Sequence, residues 1–303
     1  MPLHLTYRPQ ALDEVEGNHE VTASLDAILK REKDIPHAFL FTGPSGCGKT
    51  TLARIVASKL GCVEKPDFCE VDAADFRGID TIREILQKMR LSPIKAKCRI
   101  WLLDEVHQCS KDAQSALLKA LEDTPAHVYF LLATTDPNKL LPTIRTRCST
   151  FEVKSLGEKL LVRLLKKVSA KEGVPVPENV LEQIAVDALG SARSALVVLD
   201  KIIDLPVEKM AKAAEQHAAS LNKALDLCRA LIGKRPWKEV ATILSTIEED
   251  PESVRYSILG YCRSILLKHK DDRVYLVASC FKSNYYDSKQ YGLMLSCYEA
   301  CNG

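Results

Sequence analysis

The sequence of 303 residues contains no apolar run near the roughly 18 residues that a membrane helix needs, and no signal-peptide core at its start. It therefore predicts a chain that meets no membrane and stays in the cytoplasm, or in a host's cytoplasm if the source is a virus. Neither sign of charge dominates. With 42 Lys and Arg against 40 Asp and Glu there is no global basic field, so any surface for nucleic acid has to be local. Aromatic residues are scarce, at 6%, and form no ladder on which single-stranded bases would stack. The 11 cysteines lack framework spacing, which fits reduced thiols better than disulfides. Internal repeats, low-complexity tracts and long linkers are absent. What remains is a globular composition, 46% hydrophobic, on a chain long enough for two or three cores.

The strongest signal is Gly43-Pro44-Ser45-Gly46-Cys47-Gly48-Lys49-Thr50, a G-x-x-x-x-G-K-T loop. The apolar run Ala38 to Phe41 precedes it, and a helix-like stretch from Thr51 to Leu60 follows. A strand, a glycine loop and a helix in that order make a phosphate cradle. Backbone N–H groups turn toward β- and γ-phosphates, Lys49 supplies a mobile positive charge, and the Thr50 hydroxyl is a ligand for Mg²⁺. A second apolar run, Arg99 to Leu103, ends in Asp104 and Glu105. A buried parallel strand would deliver both carboxylates to its carboxyl end, where sheets of this kind place ligands. Asp104 then serves the Mg²⁺ shell and Glu105 orients or deprotonates the attacking water.

Further along, strand-like runs near Phe68 to Val71 and at Val128 to Ala133 alternate with helical stretches at Val21–Lys30, Thr51–Leu60, Ile79–Arg90 and Asp112–Glu122. That alternation predicts a parallel sheet with helices on both faces. Beyond Phe151 the strand signal disappears. Gly157–Glu172, Pro177–Leu189 and Ser191–Asp204 read as three helices, and the remainder is helical with breaks at 233–236, 249–251 and 270–272.

Several ordered motifs carry a resemblance. Tyr7-Arg8-Pro9-Gln10, Val15-Glu16-Gly17-Asn18, Asp104-Glu105-Val106-His107, Ala116 to Glu122, Leu131 to Pro137 and Thr146-Arg147-Cys148 closely resemble the sliding-clamp loader ATPases of the AAA+ class. The wording is nearest to bacterial DNA polymerase III gamma/tau subunits, and Asp75 to Asp80 is more similar to replication factor C small subunits. Residues 1 to about 205 carry the match; the rest agrees only in helical character.

The resemblance implies an α/β AAA+ P-loop domain over 1–154, a helical lid over 155–205 and an all-helical collar over 206–303. It implies ATP with Mg²⁺, partners that are other clamp-loader subunits in a pentameric assembly, a ring-shaped sliding clamp, and primer-template DNA. Thr135 would be the first sensor of the γ-phosphate, with Thr134 a rival position. Arg193, in Gly-Ser-Ala-Arg, would be the second sensor at a helix start. Arg147 would be an arginine finger acting on a neighbouring subunit's ATP. Tyr7, Arg8, Pro9 and Val15 would line the adenine side, with Thr51 completing the nucleotide site. Another AAA+ DNA-remodelling motor, or a largely structural subunit, are the alternatives.

The sequence departs from the bacterial pattern at Gly61 to Cys69, where two cysteines replace a four-cysteine module, so no zinc is expected. Since the sequence ends at Gly303, a compact motor subunit without a polymerase-binding extension is expected. From Arg77 to Arg99 seven basic residues face two acids, a local imbalance suited to phosphates rather than bases. The resemblance places Arg77 and Arg83 along the duplex backbone. Cys47, inside the loop, is expected to have its thiol pKa lowered by Lys49 and backbone donors. His107 has no second ligand at metal spacing and reads as a structural or coupling residue.

Overall fold

Residues in β1 (Ala38–Thr42) are buried without exception, because parallel strands in the middle of a sheet are covered on both faces. The computed structural model describes all residues except Glu32, 74–77, Asn222, Glu248, Lys268 and Tyr286. It divides into two compact units, Leu5–Leu156 and Met1–His4 with Gly157–Gly303.

After a short helix α1 (Leu3–Thr6), the first unit runs α2 (His19–Leu29), β1, α3 (Lys49–Lys59), β2 (Phe68–Asp72), α4 (Ile79–Lys88), β3 (Arg99–Asp104), α5 (Lys111–Glu122), β4 (Val128–Thr134), α6 (Pro142–Arg147) and β5 (Ser149–Glu152). The five strands are parallel in the order β2-β3-β4-β1-β5. Alternation along β1 sends Phe39 and Phe41 into one core with Leu52, Ile55 and Val56 of α3. Leu40 points the other way, into a core with Ile82, Leu117 and Ile144. Strand β5 was not among the four strands expected from sequence. Of Ser-Thr-Phe-Glu only Phe151 is apolar, and its ring stacks 5.8 Å from Phe41 and 6.2 Å from Phe39.

At the amino ends of the strands Asp67 is fully buried and accepts backbone N–H bonds from Ile94, Lys95 and Ala96 and a 3.3 Å contact from Arg99. Burial alone would raise the Asp67 carboxyl, but the Ala96, Lys95 and Ile94 amides with Arg99 hold it well below the usual carboxylate range. Arg99 is therefore withdrawn from the basic run, whose phosphate-facing reading is corrected at this residue. Its partner lies 32 positions earlier in the chain.

The second unit is helical throughout: α7 (Glu158–Lys171), α8 (Glu178–Asp187), α9 (Ala192–Ile202), α10 (Val207–Leu221), α11 (Lys223–Ile232), α12 (Trp237–Ser245), α13 (Pro251–Leu266), α14 (Asp272–Cys280) and α15 (Lys289–Asn302). Helix α10 packs on α8, α9 and α11, and α13 on α11, α14 and α15. Asp187 of α8 and Arg229 of α11 form an ion pair, and Glu252 and Arg255 form another inside α13. No helix of the described residues is long and apolar enough to cross a membrane.

Candidate functional site

The loop after β1 cannot carry side chains at its turning points. At Gly43, φ is +142° and a Cβ would stand 2.0 Å from the Val153 carbonyl oxygen; Gly48, at φ +106°, opens α3 from the left-handed region. Lys49 follows as the first helical residue. Its ammonium group, nearly buried, donates to the Gly43 carbonyl at 3.0 Å and the Pro44 carbonyl at 2.9 Å. No carboxylate pairs with it among the described residues. Cys47 is buried beside this turn, and burial pushes its thiol pKa up, with Lys49 opposing too weakly to reverse the shift. The expected lowering is thus corrected: loss of hydration outweighs the nearby charge.

Pairing of β1 with β4, and of β4 with β3, brings the remaining groups to the same carboxyl edge. The Thr50 hydroxyl donates to Asp104 Oδ2 at 2.7 Å, while Asp104 Oδ1 accepts the Glu105 backbone N–H at 2.9 Å. Glu105 sits at φ 47°, in the left-handed region. Its Oε2 accepts the Thr135 hydroxyl at 3.0 Å and the Thr135 N–H at 3.3 Å. Two hard oxygen donors, Thr50 and Asp104, suit a Mg²⁺ ion that keeps waters and takes phosphate oxygens for its other positions. Among the described residues no three His, Cys, Asp or Glu side chains gather as a metal cluster.

The other expected residues fall into separate places. Arg8 donates from Nε to the Thr51 hydroxyl at 3.1 Å, which draws the Tyr7-Arg8-Pro9 segment to the first turn of α3. Val15 packs at the rim of the Phe39 core. Arg147 ends α6 and is paired with Glu122 of α5. Arg83 is exposed and paired with Asp80 at 3.0 Å, and Arg77 lies outside the described residues. Arg193 stands in the first turn of α9, in the second unit, where the Ser191 hydroxyl caps the helix by accepting the Ser194 N–H.

The contacts of Thr134 and the place of Arg145 escaped the sequence reading. Thr134, fully buried, shares its hydroxyl with His107 Nδ1 at 3.0 Å and accepts the Asp136 N–H at 3.1 Å. Arg145, two residues before Arg147, has a buried Nε without a hydrogen-bond partner among the described residues and lines an open groove of about 790 Å³ with Gly43, Pro44, Thr135 and Thr146. The second arginine in Thr-Ile-Arg-Thr-Arg was the available signal for it.

With this geometry in view, similarity to known proteins is specific. Residues 64–157 match the family described as DNA polymerase III, delta subunit. The chain is 33% identical over 295 residues to DNA polymerase III subunit tau of Bacillus subtilis, covering 88% of this chain and 51% of the relative. It is 35% identical over 249 residues to the gamma/tau subunit of Mycobacterium tuberculosis H37Rv, covering 75% of this chain and 42% of that one. The chain is a homologue of the DNA polymerase III gamma/tau subunits. A third relative, the gamma subunit of Buchnera aphidicola from Acyrthosiphon pisum, is 36% identical over 219 residues, 66% of this chain and 60% of its own. This gamma/tau homologue spans about half the length of the first of these relatives. Among solved structures, the Thermotoga maritima RuvB Holliday junction branch migration motor superposes with a TM-score of 0.60 at 22% identity, covering 83% of this chain and 85% of that one. That likeness is one of fold, and it agrees with the expected AAA+ sheet domain joined to a helical C-terminal part.

Proposed function

We propose that this gamma/tau homologue is an ATP-hydrolysing subunit of a sliding-clamp loader. The observation that carries this reading is the assembly of Lys49, Thr50, Asp104, Glu105 and Thr135 at the carboxyl ends of three adjacent strands. In the reaction, Lys49 leaves the Gly43 and Pro44 carbonyls for the β- and γ-phosphates. Mg²⁺ would be held by Thr50 and Asp104 and would neutralise charge on the phosphate oxygens. Glu105 orients the attacking water, and Thr135 reads the γ-phosphate or that water. Tyr7, Arg8, Pro9 and Val15 line the adenine side.

The remaining roles rest on homology and on local geometry. Arg193, at a helix start, opposes the helix dipole unless an anion lies nearby, which favours a role as a phosphate sensor on the lid over 155–205. Arg147 acts on the ATP of a neighbouring subunit, for which it must leave Glu122; a half-exposed pair of this kind is weak. Arg83 follows the duplex backbone together with Arg77. The helices over 206–303 serve as a collar in a pentameric loader. In support, α15 exposes Tyr291, Met294, Leu295 and Tyr298 along one face, as a helix seated against another loader subunit would. ATP binding then opens the ring-shaped clamp in the cytoplasm, and primer-template DNA triggers hydrolysis.

Hydrolysis measured with and without clamp and primer-template DNA tests the reading. Stimulation by both supports it; stimulation by junction DNA without a clamp would move the chain to the branch-migration motors whose fold it shares. Glu105→Gln should bind ATP and fail to turn it over, and normal turnover there would remove Glu105 from the mechanism. Mixing Arg147→Ala with Lys49→Ala chains should restore part of the activity, provided that mass measurement shows exchange. Arg83→Ala should weaken DNA binding equally for unrelated sequences and flatten its salt dependence by roughly one counterion.

A further inference from the structure

Glu105 is gripped from two sides. Thr135 donates to Oε2 from one, and from the other His107 Nδ1 stands 3.2 Å from the same oxygen. The His107 ring is almost buried, and its Nδ1 also meets the Thr134 hydroxyl at 3.0 Å. A carboxylate has no proton to give, so the approach of Glu105 favours the neutral tautomer of His107 that carries its proton on Nδ1, with the Thr134 hydroxyl then accepting. The opposite nitrogen, Nε2, lies 3.2 Å from the side-chain amide of Gln108, which can donate to it in that tautomer. Burial lowers the ring's pKa, while Glu105 and Asp136 raise it and Lys139 and Lys49 lower it further, with the net effect downward. Both the burial and the contacts thus favour the neutral Nδ1–H form.

The Thr135 hydroxyl has one proton, and here it goes to Glu105. If Thr135 reads the γ-phosphate, its proton must leave Glu105 when nucleotide arrives. The carboxylate then keeps from Thr135 only the long 3.3 Å bond of its N–H, and a loosely held base aims water poorly. We propose that His107 is a positioning residue: its Nδ1–H keeps Glu105 aimed while the Thr135 hydroxyl changes partner from carboxylate to anion. Thr134, bonded to the same Nδ1 and adjacent in sequence to Thr135, ties the imidazole to the strand that leads into Thr135. The inference rests on the reading of Glu105 as the water-orienting carboxylate, and its test keeps the two apart.

The test compares His107→Leu, His107→Asn and Glu105→Gln in the full chain within its assembly. His107→Leu should lower kcat by roughly tenfold to a hundredfold, part of what a well-placed base contributes, with nucleotide Kd changed less than about twofold. His107→Asn places an amide nitrogen near the position of Nδ1 and should recover most of the loss. In a Glu105→Gln background, His107→Leu should cost nothing more, because it acts only through that carboxylate. An unchanged kcat, a parallel loss of nucleotide affinity, or the same loss in both backgrounds overturns the proposal. If Glu105→Gln turns over normally, the parent reading fails; if it is dead and His107→Leu is unaffected, only the inference fails. A readout free of activity is the ¹⁵N shift of the His107 ring in the nucleotide-free chain. An Nδ1–H tautomer is expected, and an Nε2–H tautomer would contradict the geometry.

Discussion

Lys49 in the first unit and Arg255 in the second are both more than nine-tenths buried, yet they are satisfied in different ways. Arg255 donates to Glu252 and to the Phe281 carbonyl, and Glu252 in turn accepts the Tyr285 N–H, so charge and hydrogen bonds close within α13 and its neighbours. Among the described residues Lys49 has only two carbonyl dipoles. The same contrast exists inside the first unit, where Arg99 closes on Asp67 at the amino ends of the strands while Lys49 stays unmatched at the carboxyl ends. A buried cation with an acid partner is scaffold. One that meets no acid among the described residues is free to take an anion, as the proposed role of Lys49 requires.

The largest effect that would break this contrast is expected at Lys49. Lys49→Ala should weaken nucleotide binding by about a thousandfold, as loss of a buried charged donor does. It should leave the unfolding midpoint unchanged or raised, since no acid is orphaned; calorimetric titration and denaturant unfolding measure the two. Arg255→Leu should do the reverse. It strands Glu252 in the interior and should cost about 3 kcal/mol of stability in denaturant titration, with nucleotide affinity intact. Equal losses of both properties in either variant would erase the distinction.

Asp67 sharpens it through pH. Its carboxyl is held below the range it has in an unfolded chain. The stabilisation is therefore fully present above the unfolded value, near pH 4, and is lost as pH falls through the lower folded value. Asp67→Asn should be less stable at neutral pH and should show a shallower decline below about pH 4, followed by acid unfolding. The smallest effect is expected at Cys47. Its raised pKa keeps it a thiol at neutral pH, so iodoacetamide should react slowly, and Cys47→Ala should change ATP affinity by less than about twofold.

Sequence alone located the elements whose burial is continuous. Strands β1, β3 and β4 are apolar runs because both of their faces are covered, and the helices that follow them have clear ends. Strand β5 and α6 were missed for opposite reasons. One is an edge strand with a single large apolar residue, and the other is six residues long, too short to show a period. At the site, the place of Lys49, Thr50, Asp104 and Glu105 at the carboxyl edge of the sheet was legible because each motif fixes its own geometry within a few residues. The His107–Glu105–Thr135 contacts were not, because residues 105 and 135 meet only through the pairing of β3 with β4. The burial of Arg99 was hidden for the same reason, its partner lying on another segment.

Glu105 stands at φ 47°, where a residue with a side chain is disfavoured by roughly 1 kcal/mol and glycine is not. Glu105→Gly gains that relief and loses the two Thr135 hydrogen bonds, and on the proposed role of Glu105 it should do no chemistry, so backbone strain and turnover draw this position in different directions. A library selected only for folding would drift to glycine or asparagine at position 105, and one selected for hydrolysis would return to glutamate.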